Sequence, residues 1–472
     1  MRPVLFNTVP RRPLGLFSNQ SLPAMKCEII EKYLEPNLDE VVDLFFQYAN
    51  ICFPIFDEGS FRNVYGMHRE KISPALLCNL YANSLIYWEN SSELSSSRLP
   101  DVRYIWNQAN EALHSELFLS PGISTVMAII LNVCGRPSTS IFGNGGMVGT
   151  AVALSNALGL NRDPSNWNIS PLEKRFRIRI WWLVVVNDRW CSLAYGTPLQ
   201  IHRAQYDVPF PTVDDLQSNC TSQSHIAAAE VFVAFTSLTE VMSEYLEHVY
   251  KISVHVPYPP ERSAIELEGL LTDWEESLTG NIRRMVLHGT DFDAPGAANF
   301  RLAYLAVKLL LRRLQLDVDK NNLGIIDDID SHYYKQAQRA AEEIVHLVQE
   351  MGESHLRGFW LPVNSFSLTS ATTFLLRSGL RKGGLNNYMF LDIAKDMIDR
   401  LRSHSESFRW DLADNCLASC SDLVDKISSN STQDVFFDST VSNFFQEHLD
   451  FNQSFLNDFM ADFPEITPTV RL

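Results

Sequence analysis

Asp188 and Arg189 are the residues whose types and setting could most readily do chemistry. They follow the apolar run from Ile178 to Val186 and stand among Trp181, Trp182 and Trp190. A carboxylate beside a guanidinium in such surroundings is costly unless each finds a partner, because taking a charge out of water carries a penalty of several kcal/mol. Two readings follow: fixed charges that define the fold, or a polar pair kept for binding. The structural reading is the stronger, since buried charge is most often structural.

Other chemistry-bearing residues give less. Cysteines stand at 27, 52, 78, 134, 191, 220, 416 and 420, without the C-x-x-C spacing that builds a zinc site. Cys416 and Cys420 share a helix face, but Trp410, Ala413, Leu417, Leu423 and Val424 surround them in an amphipathic pattern, so they read as core rather than as half a metal site. Gly143, Gly145, Gly146 and Gly149 suggest a nucleotide loop, but position 148 is valine and no β-run precedes them. The stretch reads instead as an irregular connector feeding a helix over 147–158 that ends at Gly159. The sequence contains no G-x-S-x-G, no H-E-x-x-H and no phosphate-loop lysine. Its histidines are dispersed, and His346 reads as a packing residue on an apolar helix face. No catalytic, metal or DNA-binding residue is assigned.

The element that must position Asp188 and Arg189 is a long buried helix over 171–195. Ser170 is its N-cap, Pro171 its first residue, and Glu173 is placed for a capping box. Gly196 ends it and Pro198 bars its continuation. At 1.5 Å per residue it extends about 37 Å. Being apolar all round, it demands helices on several sides.

Those helices are legible as 3-to-4-residue periodicity along the rest of the chain. One over 38–49 stops at Pro54, and others span 74–88, 102–117 and 124–133, with a serine-rich loop over 90–101. Phe232, Phe235, Thr239, Met242, Tyr245 and Val249 form one face. Leu267, Leu271, Trp274, Leu278 and Ile282 form the next. Further helices are expected over 300–316, 336–351, 361–376, 388–401 and 410–427. Between 200 and 215 the chain reads as extended, since Pro209 and Pro211 force the residue before each away from helix. The only strand candidate, residues 252–256, is too short to found a sheet. The fold class is all-α, a large multi-helix body with extended loops.

Composition narrows the classes. The 472-residue chain is 46% hydrophobic, ample for a sizeable core, and its net charge of −17 opposes a direct grip on a phosphate backbone. Residues 1–25 read as a proline-containing basic linker without the apolar core of a signal peptide; Arg11 and Arg12 fall short of a basic nuclear-address run. The uncharged run over 117–135 is interrupted by Pro121, Gly122, Ser124 and Asn132, which makes it two packed elements rather than a membrane span.

After residue 428 a linker leads into a segment that lacks Lys and Arg from 434 to 466 and interleaves Asp434, Asp438, Glu447, Asp450, Asp458, Asp462 and Glu465 with aromatics. The aromatics are Phe436, Phe437, Phe444, Phe445, Phe451, Phe455, Phe459 and Phe463. Such a segment is expected to be disordered and of the activation type: charge repulsion keeps the phenylalanines exposed until a partner groove takes them. Phe451, Phe455, Phe459 and Phe463 recur at i,i+4, as for a helix laid in a groove; a terminal helix docked on the protein's own core is the alternative.

Several stretches resemble the fungal-specific transcription factor domain, the regulatory middle region of zinc-binuclear-cluster activators. LFFQYANICFPIFDEGSF over 44–61 is similar to its opening, ALLCNLYANSLIYW over 75–88 to an early helix, and ALSNALGLNRDPSNW over 153–167 to its Ala-rich helix and Gly-Leu-x-Arg-Asp segment. The most specific part is Glu173, Arg175, Arg177, Trp181, Trp182, Asp188 and Arg189, followed by Gly196, Pro198, Ile201, Asp207, Val208, Pro209 and Pro211.

The resemblance implies a domain over 26–215, a helical continuation over 216–427 and the acidic tail over 428–472. Within the family, WNISPLEKRFRIRIWW and the following DRW most resemble co-activators of nitrogen-utilisation genes. The resemblance further implies a nuclear regulator of RNA polymerase II transcription, shuttling or resident, whose partners are co-activators or a DNA-binding protein, with room for a homo- or heterodimer. Zinc is implied only for a six-cysteine N-terminal module that this sequence lacks, so Met1 reads as opening inside the linker after such a module, or the protein reaches DNA only through partners. A scaffold that tethers a DNA-binding partner and a metabolite-sensing or enzymatic helical domain are the competing readings.

Overall fold

The computed structural model describes residues 21–119, 121–137, 141–216, 222–250, 262–323, 332–380 and 387–429. The tail phenylalanines from Phe436 to Phe463, Arg11 and Arg12, Cys220 and the strand candidate over 252–256 lie outside them. The chain divides into two units, Met1–Cys420 and Ser421–Leu472, and of the second only 421–429 are described.

Among the described residues the regular structure is helical throughout, as the periodicity predicts. The first helices are α1 (Leu22–Leu34), α2 (Leu38–Leu44), α3 (Glu58–Met67), α4 (Pro74–Ser84), α5 (Val102–Leu119) and α6 (Ile123–Val133). α7 (Ile141–Ala157), α8 (Pro171–Tyr195), α9 (Val213–Leu216) and α10 (Gln223–Val249) follow. Next come α11 (Ala264–Ser277), α12 (Gly280–His288), α13 (Ala297–Leu323) and α14 (His332–Glu350). The series closes with α15 (Glu353–Leu356), α16 (Ser365–Leu380), α17 (Asn387–Phe408) and α18 (Asp414–Ser429). α1 begins inside the stretch read as linker, where Ser21 caps it and Pro23 occupies its first turn.

Three local expectations are corrected. The glycine-containing connector is helical, because α7 starts at Ile141 and takes Gly143, Gly145, Gly146 and Gly149 into its turns. Gly145 and Gly149, four apart, lie on the side of α7 that meets the α8 region: a Cβ at 145 would touch Tyr195 at 3.9 Å, and one at 149 would stand 2.7 Å from the Gln200 side chain. Of Gly145, Gly146 and Gly149, only Gly149 has a neighbour closer than ordinary contact, the end of the exposed Gln200 side chain, and the helix forms despite the poor helix propensity of its glycines.

The expected single face over 267–282 is two helices, since Leu278 and Thr279 are extended. Arg283 of α12 donates to the carbonyls of Glu275 and Glu276 at 3.0 and 3.3 Å, satisfying acceptors at the end of α11. His346 is exposed, and among the described residues the buried histidine is His404, whose Nε2 lies 2.9 Å from the Val348 carbonyl. Burial lowers the His404 pKa, so the ring is held neutral.

The core is built on α8. α7, α6 and α10 pack against it, α10 continues to α13, and α13 to α14 and α16. α10 is long and apolar enough to cross a membrane by length and composition, yet 61% of its apolar window is buried against the rest of the protein. The FPIF turn after α2 is fixed by Asn50, which accepts from the Phe56 N–H at 2.9 Å and donates to its carbonyl at 3.2 Å. Cys416 and Cys420 are fully buried. Cys416 donates to Thr372 Oγ1 at 3.3 Å, in keeping with core thiols.

Candidate functional site

α8 starts as its residues require: Ser170 Oγ accepts the Glu173 N–H at 3.2 Å, Pro171 opens the first turn, and Gly196 closes the helix at φ +71°. One expectation fails. The Glu173 carboxylate takes the Arg177 guanidinium one turn on, at 3.1 Å, in place of the cap N–H. An i,i+4 cation outcompetes a lone amide for an ionised acceptor. Arg177 also lies over the Trp167 ring at 5.2 Å, a cation–π contact that ties α8 to the loop before it. Arg175 is half-buried beside it.

Every residue from Ile178 to Ser192 is buried. Asp188 is 2% exposed and Arg189 1%, and the two form a charge-assisted pair. Each has further partners on other elements. Asp188 accepts the backbone N–H groups of Gln200 at 3.2 Å and Ile201 at 3.1 Å, while Arg189 Nε donates to Ser243 of α10 at 2.8 Å. Burial raises the Asp188 pKa against the opposing pull of Arg189 and the two amides. Desolvation therefore exceeds what its partners return, the usual balance of a buried ion pair.

The neighbouring polar groups act in the same way. Trp182 Nε1 donates to the Pro209 carbonyl at 2.7 Å, with its ring edge-on to Phe210 at 4.8 Å; Trp181 meets Tyr206 at 5.4 Å. Arg179, 3% exposed, donates to the Asp215 carbonyl at 2.7 Å, and burial lowers its pKa to about 10. Trp190 donates to Thr239 at 2.9 Å and stacks on Phe235.

The result is a strap. Residues 200–215 run along α8 and are fastened at Asp188, Trp182, Trp181 and Arg179. Arg162 locks the strap to the loop after α7 through a two-pronged pair with Asp207 at 3.0 and 2.8 Å. That pair lowers the Asp207 pKa. Pro198 is exposed at the turn where the strap begins.

The structure therefore brings Trp181, Trp182, Asp188, Arg189 and Gly196 into one latch, with Glu173, Arg175 and Arg177 at its outer end. Sequence reasoning missed Arg179, Tyr206 and Ser243, and placed Thr239 on a helix face without its role as the partner of Trp190. The available signal is that Thr239 and Ser243 lie one turn apart on the side of α10 that carries Phe235, Met242 and Leu246. Asp188 and Arg189 are buried and paired, so the arrangement holds chain against helix. Among the described residues no cluster of three or more His, Cys, Asp or Glu is placed to hold a metal ion.

Residues 42–276, which contain the latch, match the fungal specific transcription factor domain, and the chain belongs to that family. Relatives extend the match. A transcriptional regulatory protein of Schizosaccharomyces pombe is 24% identical over 74% of this chain and 51% of its own length. The acetamidase regulatory protein of Aspergillus oryzae is 24% identical over 73% of this chain and 42% of its own. The transcriptional activator protein DAL81 of Saccharomyces cerevisiae is 27% identical over 36% and 17%. The chain thus spans about half the length of these relatives or less.

Proposed function

We propose that this chain is the helical regulatory body of a nuclear transcriptional regulator acting on RNA polymerase II genes. The observation that carries the reading is the family match over 42–276, which falls on the latched α8 core. Named relatives are a transcriptional activator and acetamidase regulators, in keeping with a role in nitrogen-source genes. The body serves interaction and regulation, not turnover, and works without a cofactor of its own; zinc belongs to a DNA-binding module other than this body. DNA is reached through such a module or a DNA-binding partner, because a net charge of −17 repels a phosphate backbone. The acidic phenylalanine segment after 428 supplies the contact to co-activators.

The test is a reporter assay with the full chain fused to a foreign DNA-binding domain. Activation is expected, and replacing Phe451, Phe455 and Phe459 with alanine should abolish most of it. Silence of the intact fusion, or an unaffected triple variant, would refute the activation role.

A further inference from the structure

Away from α8, a cleft of about 690 Å³ opens between α2, α3, the first turn of α10, the loop before α13, and α15. We propose that it binds a small organic cation carrying an apolar body, one charged amine on an aromatic or aliphatic frame.

Size is the first ground: the volume falls within the range of roughly 300–1,000 Å³ typical of small-molecule sites. Its floor is fixed. Gly296, at φ +82°, brings the loop against Cys52, where a Cβ would stand 3.4 Å from the Cys52 Cβ. Tyr48, Phe292 and Phe359 supply aromatic surface. Tyr48 is held by stacking on Tyr87 at 5.1 Å and Phe359 by stacking on Phe53 at 5.9 Å, so the walls are preformed.

Charge decides the ligand's sign. The lining holds Asp43, Glu58 and Asp293 against the single guanidinium of Arg62. Arg62 is already committed: it donates to Asp43 at 2.6 Å and Glu58 at 2.7 Å and lies over Phe46 at 4.9 Å. An incoming anion would meet carboxylates and a spent arginine. An incoming cation would meet the exposed Asp293 carboxylate, the two negative charges the lining keeps in excess once Arg62 is set against Asp43 and Glu58, and ring faces, the partners that recognise ammonium groups. The histidines add polarity without reversing the balance. His225 points Nε2 toward Glu58 Oε2 at 3.8 Å, and His355 Nδ1 accepts the Gly352 N–H at 3.2 Å, leaving its other nitrogen to carry the proton.

This inference rests on the cleft alone and stands or falls apart from the transcriptional reading. Calorimetric titration of the purified full chain at 150 mM salt would compare phenethylamine, phenylacetamide and phenylacetate, which share a ring and differ in charge. Saturable one-to-one binding is expected for phenethylamine, with phenylacetate at least tenfold weaker. Asp293→Asn and Phe292→Leu, at the rim and wall, should each weaken phenethylamine about threefold, the size of one exposed charge or cation–π contact. Their thermal unfolding midpoints should match the unmodified chain. Equal binding of phenylacetate, a stoichiometry far from one, no saturable heat at millimolar phenethylamine, or unchanged affinity in both folded variants would each overturn the proposal.

Discussion

At the scale of single residues, the latch makes the loss of Asp188 costly. Asp188→Ala strips Arg189 of its counter-charge inside the core and leaves the Gln200 and Ile201 amides without an acceptor, so a loss of about 3–5 kcal/mol is expected in chemical denaturation. Combining it with Arg189→Met should cost less than the two single changes summed, because the second change removes the stranded charge. An unchanged midpoint for Asp188→Ala would mean that the pair is exposed.

Asp207 and Asp188 respond to pH in opposite directions. The Asp207 pKa is lowered by Arg162, so its contribution is present above the unfolded carboxylate value and is lost as pH falls through the folded one. The Asp188 pKa is raised, so it favours the fold at low pH and loses that contribution as pH rises through its folded value. Asp207→Asn should therefore destabilise the protein at pH 7, with the difference from the unmodified chain closing as pH falls below the ordinary carboxylate range in parallel denaturation curves.

At the scale of elements, glycines separate by what stands opposite them. A Cβ at Gly135 would fall 2.2 Å from the Trp106 ring, which is 5% exposed and cannot move aside. Gly135→Ala is thus expected to cost about 1–3 kcal/mol by overpacking. At Gly149 the obstacle is the end of the exposed Gln200 side chain, which can swing away, and alanine gains about 1 kcal/mol of helix propensity. Gly149→Ala should be near neutral in thermal melts; a loss as large as at Gly135 would show that Gln200 is rigidly held in the strap.

At the scale of the molecule, net charge bears on the proposed indirect access to DNA. A chain with 56 acids against 39 Lys and Arg should leave a labelled DNA duplex unbound at 150 mM salt up to about 10 µM protein, within the range where basic domains already bind non-specifically. Fluorescence anisotropy would measure this, and tight binding by the purified chain would contradict indirect access to DNA. Replacing the tail phenylalanines should leave the thermal midpoint unchanged while abolishing reporter activation, which separates the tail's role from that of the body.

By itself the sequence determined the helical class, the caps of α8 and the burial of Asp188 and Arg189, because these follow from periodicity, local capping chemistry and the cost of stranded charge. Trp181, Trp182, Asp188, Arg189 and Gly196 were legible as a family signature, though not what they hold, whereas Arg179, Tyr206 and Ser243 were not. Only tertiary structure decided that Asp188 fastens residues 200 and 201, that Glu173 turns to Arg177, and that the glycine-containing stretch from Ile141 is helical. Competition among partners distant in sequence settles such choices, and no local pattern encodes it. The cleft lined by Asp43, Phe292 and His355 belongs to the same class, since its walls come from elements more than 300 residues apart.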